Sequence, residues 1–211
     1  MQDKTSFSLK TLVATVLAAS LLAACGSSPP TRFYTLAAPA DGGASVRTTS
    51  QGPQTFIEVM PVSVPDRLAR PQLVVRSDAT RVEVLEQDRW SSPFNNELRD
   101  ALSAGVAARL GAIDVSRGGR PADQASYRIN VELRDFDAAR NGQVQASFGW
   151  TITRSDDRRS AACRLTVVER VAGAANADVV AATQRAVGKA VQAIADDVRA
   201  LQAGRGGQCS A

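Results

Sequence analysis

The sequence predicts an α/β fold of the α+β kind: a mostly antiparallel mixed sheet with two amphipathic helices packed on one face. Three observations predict it. Tyr127, Ile129, Val131 and Leu133 alternate with Arg128, Asn130, Glu132 and Arg134, and the run from Val144 to Thr153 repeats the rule. Period two is the mark of a strand with one buried and one wet face. Phe94, Leu98, Leu102, Val106 and Leu110 recur every fourth residue, and Val180, Val187, Val191, Ile194, Val198 and Leu201 form a second stripe. One-sided stripes at that spacing are amphipathic helices.

Each element follows from local chemistry. Thr31 to Leu36 is β-favouring and reads as a first strand, and Ala37 to Pro53 has the Ala, Gly, Ser, Thr and Pro content of a loop. Thr55 to Val62 is apolar and β-rich; Pro61 and Pro65 restrict it to an edge or an early end. Gln72 to Arg76 and Thr80 to Glu86 are short strands about a Ser77-Asp78-Ala79 turn. Ser92 suits a helix N-cap and Pro93 the first helical position, where its missing N–H is not needed. Gly111 is the expected stop. Ile113 to Ser116 is a short strand and Arg117 to Asp123 a loop. Asn141-Gly142 and Ser155 to Arg159 are the turns of a three-strand meander, which closes with a strand that places Cys163 on the core face. The last helix runs from about Asp178 to Gln202, and Gly204-Arg205-Gly206-Gly207 ends it.

The first 24 residues have a different logic. Lys4 and Lys10 precede an apolar run from Leu12 to Leu22, which ends in Leu22-Ala23-Ala24-Cys25. This is the order of a secretory signal, and the run is shorter than the roughly 20 apolar residues of a membrane span. The final four residues resemble the lipobox of bacterial lipoproteins. The resemblance implies cleavage before Cys25, a diacylglyceryl group on its sulfur and acylation of the new amine. The expected organisation is a signal peptide (1–24), a lipidated tether (25–30), one domain (31–203) and a tail (204–211).

Composition excludes more than it assigns. The chain has no histidine, which removes Ser-His-Asp and Cys-His catalysis and histidine zinc sites. No metal site, cofactor motif or catalytic residue is identified. Beyond residue 24 the net charge is about +3, Lys189 is the only lysine, and acids are interspersed with the arginines; that pattern is unlike a nucleic-acid surface. The arginine bias has two readings, a GC-rich genome or contact with anionic lipid heads. Cys163 and Cys209 remain after the anchor. In an exported chain they read as one bridge, worth roughly 4 kcal/mol in the chain-entropy account, against the alternative of two unpaired thiols.

Three stretches together resemble a known family: Pro61-Val62-Ser63-Val64-Pro65 leading into Leu68-Ala69-Arg70-Pro71-Gln72-Leu73-Val74; Arg89-Trp90-Ser91-Ser92-Pro93-Phe94; and the leucine-spaced helix to Leu110-Gly111. They are similar to the ABC-type transport auxiliary lipoproteins, the PqiC/YmbA group, over about Phe33 to Leu201. The resemblance implies a non-enzymatic envelope lipoprotein serving an MCE-domain transport system, with a permease and ATPase as the motor, that moves phospholipids or related hydrophobic molecules between membranes. The absence of a Gly-x-x-x-x-Gly-Lys-Ser/Thr loop agrees. Gly26 after the anchor implies the periplasmic face of the outer membrane, with the inner membrane as the alternative. The rival role is a lipid-binding carrier or outer-membrane assembly chaperone. Self-association is left open.

Candidate partner contacts are Arg70, Arg89 and Trp90. Trp90 is either a core plug fixing the helix entry or an interface anchor, since Trp and Arg dominate hot spots. Arg70 and Arg89 either meet a partner or cap carbonyls. Asp156 and Asp157 with Arg154, Arg158 and Arg159 read as a solvated turn, and the polar sides of the late strands are free for solvent or a partner. Cys25→Ser is expected to leave an unprocessed, unlipidated precursor; detergent partitioning identical to that of the parent would contradict the anchor.

Overall fold

The computed structural model describes residues 29–37, 54–119, 124–205 and 209. The expected signal segment, Cys25, the loop from residue 38 to 53, residues 120–123 and residues 206–208, 210 and 211 of the tail lie outside the described residues. Of residues 1–30 only Pro29 and Pro30 are described, both exposed. No helix among the described residues is long and apolar enough to cross a membrane.

The strands are β1 (Arg32–Tyr34), β2 (Phe56–Val59), β3 (Gln72–Arg76), β4 (Val82–Trp90), β5 (Ile113–Asp114), β6 (Ser126–Ala138), β7 (Gln143–Arg154) and β8 (Ser160–Arg170); the helices are α1 (Phe94–Leu110) and α2 (Asn176–Gln202). The α/β reading holds, but the strands divide into two sheets of order β1-β4-β3 and β5-β2-β6-β7-β8. Parallel pairing (β1 with β4, β2 with β5 and β6) accompanies an antiparallel β3–β4 hairpin and β6–β7–β8 meander. Among the described residues one isolated bridge, Arg76 to Ala139, joins β3 to the segment that follows β6.

Several boundaries differ from expectation for local reasons. β2 takes the early end of the two expected outcomes: it stops at Val59, before Pro61, so it can lie between β5 and β6 with no proline in the ladder. β4 runs on to Trp90, since Asp88, Arg89 and Trp90 pair with β1. β6 continues past Arg134 through a register shift between Leu133 and Asp135, which returns Phe136 to the core. Pro93, not Ser92, is the N-cap of α1; the Ser92 hydroxyl instead donates to Glu97. Gly111 does stop α1, in the left-handed conformation at φ 61°, and Ala112 N–H closes onto Ala107 O at 2.9 Å. α2 starts at Asn176, where the Asp178 carboxylate accepts from Ala175 N–H at 3.1 Å.

α2 covers β6, β7 and β8, and α1 lies against α2, β2 and β5. The helices approach closely at Gly105: a Cβ there would stand 2.8 Å from a Val191 methyl. Between helices and sheet Leu98, Leu102, Ile129, Phe148, Ile152 and Ile194 are fully buried; each such side chain contributes about 1.5–3 kcal/mol by leaving water. One polar bond crosses this core, from Trp150 Nε1–H to Asp197 Oδ2 at 2.9 Å. The Cys163 and Cys209 sulfurs lie at bonding distance, with Cα atoms 5.6 Å apart, so the chain beyond α2 returns to β8.

β1 is fastened by two buried carboxylates. Glu97, in the first turn of α1, accepts from the hydroxyls of Ser91, Ser92 and Thr35 and from Leu36 N–H at 3.0 Å. Asp88 accepts from Arg32 at 2.9 Å and from the Tyr34 hydroxyl at 2.8 Å. Burial pushes both acids up, yet their donors outweigh it and hold both below the usual carboxylate range. Groups with depressed folded pKa values stabilise above the unfolded value, near pH 4, and that contribution is lost as pH falls through the folded value.

Urea unfolding followed across pH is therefore expected to show stability falling below about pH 4. Glu97→Ala leaves its donors unpaired, is expected to cost about 2–4 kcal/mol at pH 7, and should flatten part of the acid limb; an unchanged acid limb would contradict the clasp. Intact mass of the exported protein should rise by two hydrogen atoms on reduction; two free thiols before reduction would dismiss the bridge.

Candidate functional site

Sealing one face of the meander under α2 leaves the other face open. Its outward positions are mostly polar, as period two expects: Arg128, Asn130 and Glu132 on β6, Thr151 and Thr153 on β7, and Arg164, Thr166 and Arg170 on β8, with the apolar Ala162 and Val168 among them. Register then builds a notch. Glu132 pairs with Gly149 and Gly149 with Arg164, so one row across three strands reads carboxylate, bare backbone, guanidinium. The next row reads Asn130, Thr151, Ala162.

Gly149 is the point of close approach on this face. A Cβ there would stand 3.0 Å from Arg134 Nε, because the Arg134 side chain lies over the glycine while donating to Glu132 Oε2 at 3.0 Å. Pro61 and Ser63 form the remaining wall; Ser63 bridges to Glu132, and its carbonyl accepts from Leu133 N–H at 2.8 Å. Arg164 has no ion-pair partner among the described residues, whereas Arg128 is occupied by Glu58 at 3.1 Å and Arg134 by Glu132. The notch thus offers hydroxyls, one carboxylate and an unengaged guanidinium over an open surface. That chemistry suits docking of a polar or anionic surface. No group of three or more Cys, Asp or Glu among the described residues could hold a metal ion.

The residues singled out from sequence lie elsewhere, and two of the three stretches meet. Trp90 N–H donates to Pro71 O at 2.6 Å, Phe94 N–H to Arg70 O at 3.3 Å, and Gln72 pairs with Arg89. Trp90 is only 6 % exposed and packs on Phe94, which packs on Phe136, with ring centroids 5.2 and 5.4 Å apart. Of its two readings the structure shows the core plug. Arg89 turns back on its own strand, donating to Glu86 O at 2.8 Å. Arg70 is half-buried, with its Nε shielded and unpartnered among the described residues. These stretches seat α1 and β1. The turn Ser155–Arg159 is exposed and self-neutralised, with Arg154 to Asp156 at 2.8 Å and Arg159 to Asp157 at 2.5 Å.

Sequence reasoning identified the open face as a class but not the notch. The available signal was Gly149 inside an otherwise regular strand, where glycine marks close approach. Glu97 and Asp197 were missed because a single acid on a helix stripe carries no periodic signal.

Comparison with known proteins agrees with this architecture. The family model described as the ABC-type transport auxiliary lipoprotein component matches residues 34–195. The intermembrane transport lipoprotein PqiC of Escherichia coli K12 is 29% identical over 137 residues, covering 64% of this chain and 71% of that protein; PqiC of Shigella flexneri matches equally. A crystal structure of an uncharacterized protein aligns with TM-score 0.61 at 18% identity, over 81% of this chain and 99% of the other. Protein XCC0632 of Xanthomonas campestris aligns with TM-score 0.57 at 17% identity, over 83% and 97%. The two solved structures show a shared fold. With the family match spanning β2 to most of α2, the chain belongs to the ABC-type transport auxiliary lipoprotein components.

Proposed function

We propose that this protein is a non-enzymatic accessory subunit of an MCE-type ABC transport system that moves phospholipids or related hydrophobic molecules between membranes. Acyl chains on Cys25 hold it on the periplasmic face of the outer membrane, and the open sheet face around Gly149 docks on the MCE-domain protein. The family match over residues 34–195 carries this reading, and the relative named as an intermembrane transport lipoprotein supports the transport role. The energetic logic is effective concentration: confinement to a surface makes a weak polar contact sufficient.

A carrier role finds less support. The apolar hollow beside Trp90, lined by Leu73, Val75, Phe94, Phe136 and Val179, measures about 10 Å³, room for one water at most. An adaptor needs no such cavity.

A photo-crosslinker in place of Arg164 is expected to capture an MCE-domain protein in whole cells, and one in place of Gln192, exposed on α2, is not. Arg164→Glu should lower co-recovery of the transporter at least fivefold without changing the thermal midpoint. Equal capture from both positions would move the interface off this face. No capture from any surface position, with the other transporter subunits recovered together, would overturn the adaptor role.

A further inference from the structure

α2 works as a ruler. Its 27 residues span about 40 Å, and its two ends belong to different surfaces. At the first end, Asn176 accepts from Arg140 Nε at 2.8 Å and donates to Asp88, which also holds Arg32 at the start of β1. Asn141 N–H bonds Gly173 O at 3.1 Å and Val171 N–H bonds Gly142 O at 2.9 Å. The start of β1, the β6–β7 turn and the β8–α2 connection therefore form one end of the domain. At the other end, Gln202 donates to Thr55 at 3.0 Å, and Thr55 O accepts from Ile113 N–H at 2.9 Å.

We infer that the Asn176 end lies against the headgroup layer of the bilayer, with Phe33 as its apolar contact and Arg170 as its phosphate contact. This rests on acylation of Cys25. The six residue-to-residue steps from Cys25 to Thr31 reach at most about 20 Å, half the length of α2, so the end where β1 begins stays near the membrane. That end displays what an interfacial surface needs. Phe33 is 67 % exposed and Val168 is 50 % exposed, although both are large and apolar. The Arg32 side chain is 63 % exposed even while it pairs with Asp88. Arg170 is exposed and has no ion pair among the described residues. Apolar side chains enter the headgroup–acyl boundary, arginine stems follow them, and guanidinium forks bind phosphate. Confined by the tether, the pair needs only to orient the domain: each arginine near an anionic surface favours contact about fivefold.

The test uses the full acylated protein in phosphatidylethanolamine–phosphatidylglycerol vesicles whose acyl chains are brominated near the headgroup. Phe33→Trp and Ile113→Trp are made at two exposed apolar positions, 67 % and 47 % exposed, over native Trp90 and Trp150, which are buried and equal in both. The Phe33→Trp variant should be quenched at least twofold more than the Ile113→Trp variant. Its quenching should rise with phosphatidylglycerol content and lose that rise when Arg170→Glu is added. Equal or absent quenching in protein that floats with the vesicles would overturn this orientation alone. Native processed protein that carries no acyl mass, or a Cys25→Ser variant that floats as well as the parent, would overturn the anchor and this inference with it.

Discussion

The structure depends on two carboxylates kept charged out of water. Asp88 and Glu97, each with its own set of donors, gather β1, the segment before α1 and the first turn of α1: Asp88 through a guanidinium and a phenol, Glu97 through three hydroxyls and an amide. β1 is only three residues long and lies at the edge of a three-stranded sheet, so its backbone pairing alone would hold weakly. Charge-assisted bonds supply what the short ladder lacks. If the proposed anchor at Cys25 bears load, that load would enter the fold through this clasp, because β1 is the first strand after it. Gln184 of α2 adds a third hold on Thr35 O at 2.9 Å, which ties the same segment to the longer helix.

The meander is asymmetric for a simple reason. One face is sealed by a helix whose buried side is mostly alanine and valine, small enough for close approach to the sheet. The other face keeps the polar half of the period-two pattern. Glu169 strengthens this division: it sits at the end of β8 and binds Arg185 at 2.9 Å and Lys189 at 2.6 Å, and those cations hold it below the ordinary carboxylate range. A rigid sheet with one free face, joined to a clasped edge strand, suits the proposed adaptor role, in which one end would meet the membrane and one surface the transporter.

Much of this was legible in the sequence, because periodicity reports burial directly. Both helices, the meander, its Asn141-Gly142 turn and the core-facing Cys163 follow from pattern and turn chemistry alone. The split into two sheets was not legible, since β1 and β2 pair with strands distant in sequence and short strands carry no register signal. The site was legible only in outline. The stretch around Trp90 draws attention by its composition, yet its aromatic rings and backbone bonds serve to seat α1. The notch depends on which residues stand opposite Gly149 across β6 and β8, and register across strands is a tertiary fact.

The central claim is that a folded adaptor hangs from a lipidated cysteine. The most direct measurement is the mass of the N-terminal peptide of the native protein, taken from purified outer membranes. The account predicts a peptide beginning at Cys25 that carries a diacylglyceryl group and an amide-linked acyl chain. A peptide that begins elsewhere, or a Cys25 bearing no acyl mass, would contradict it.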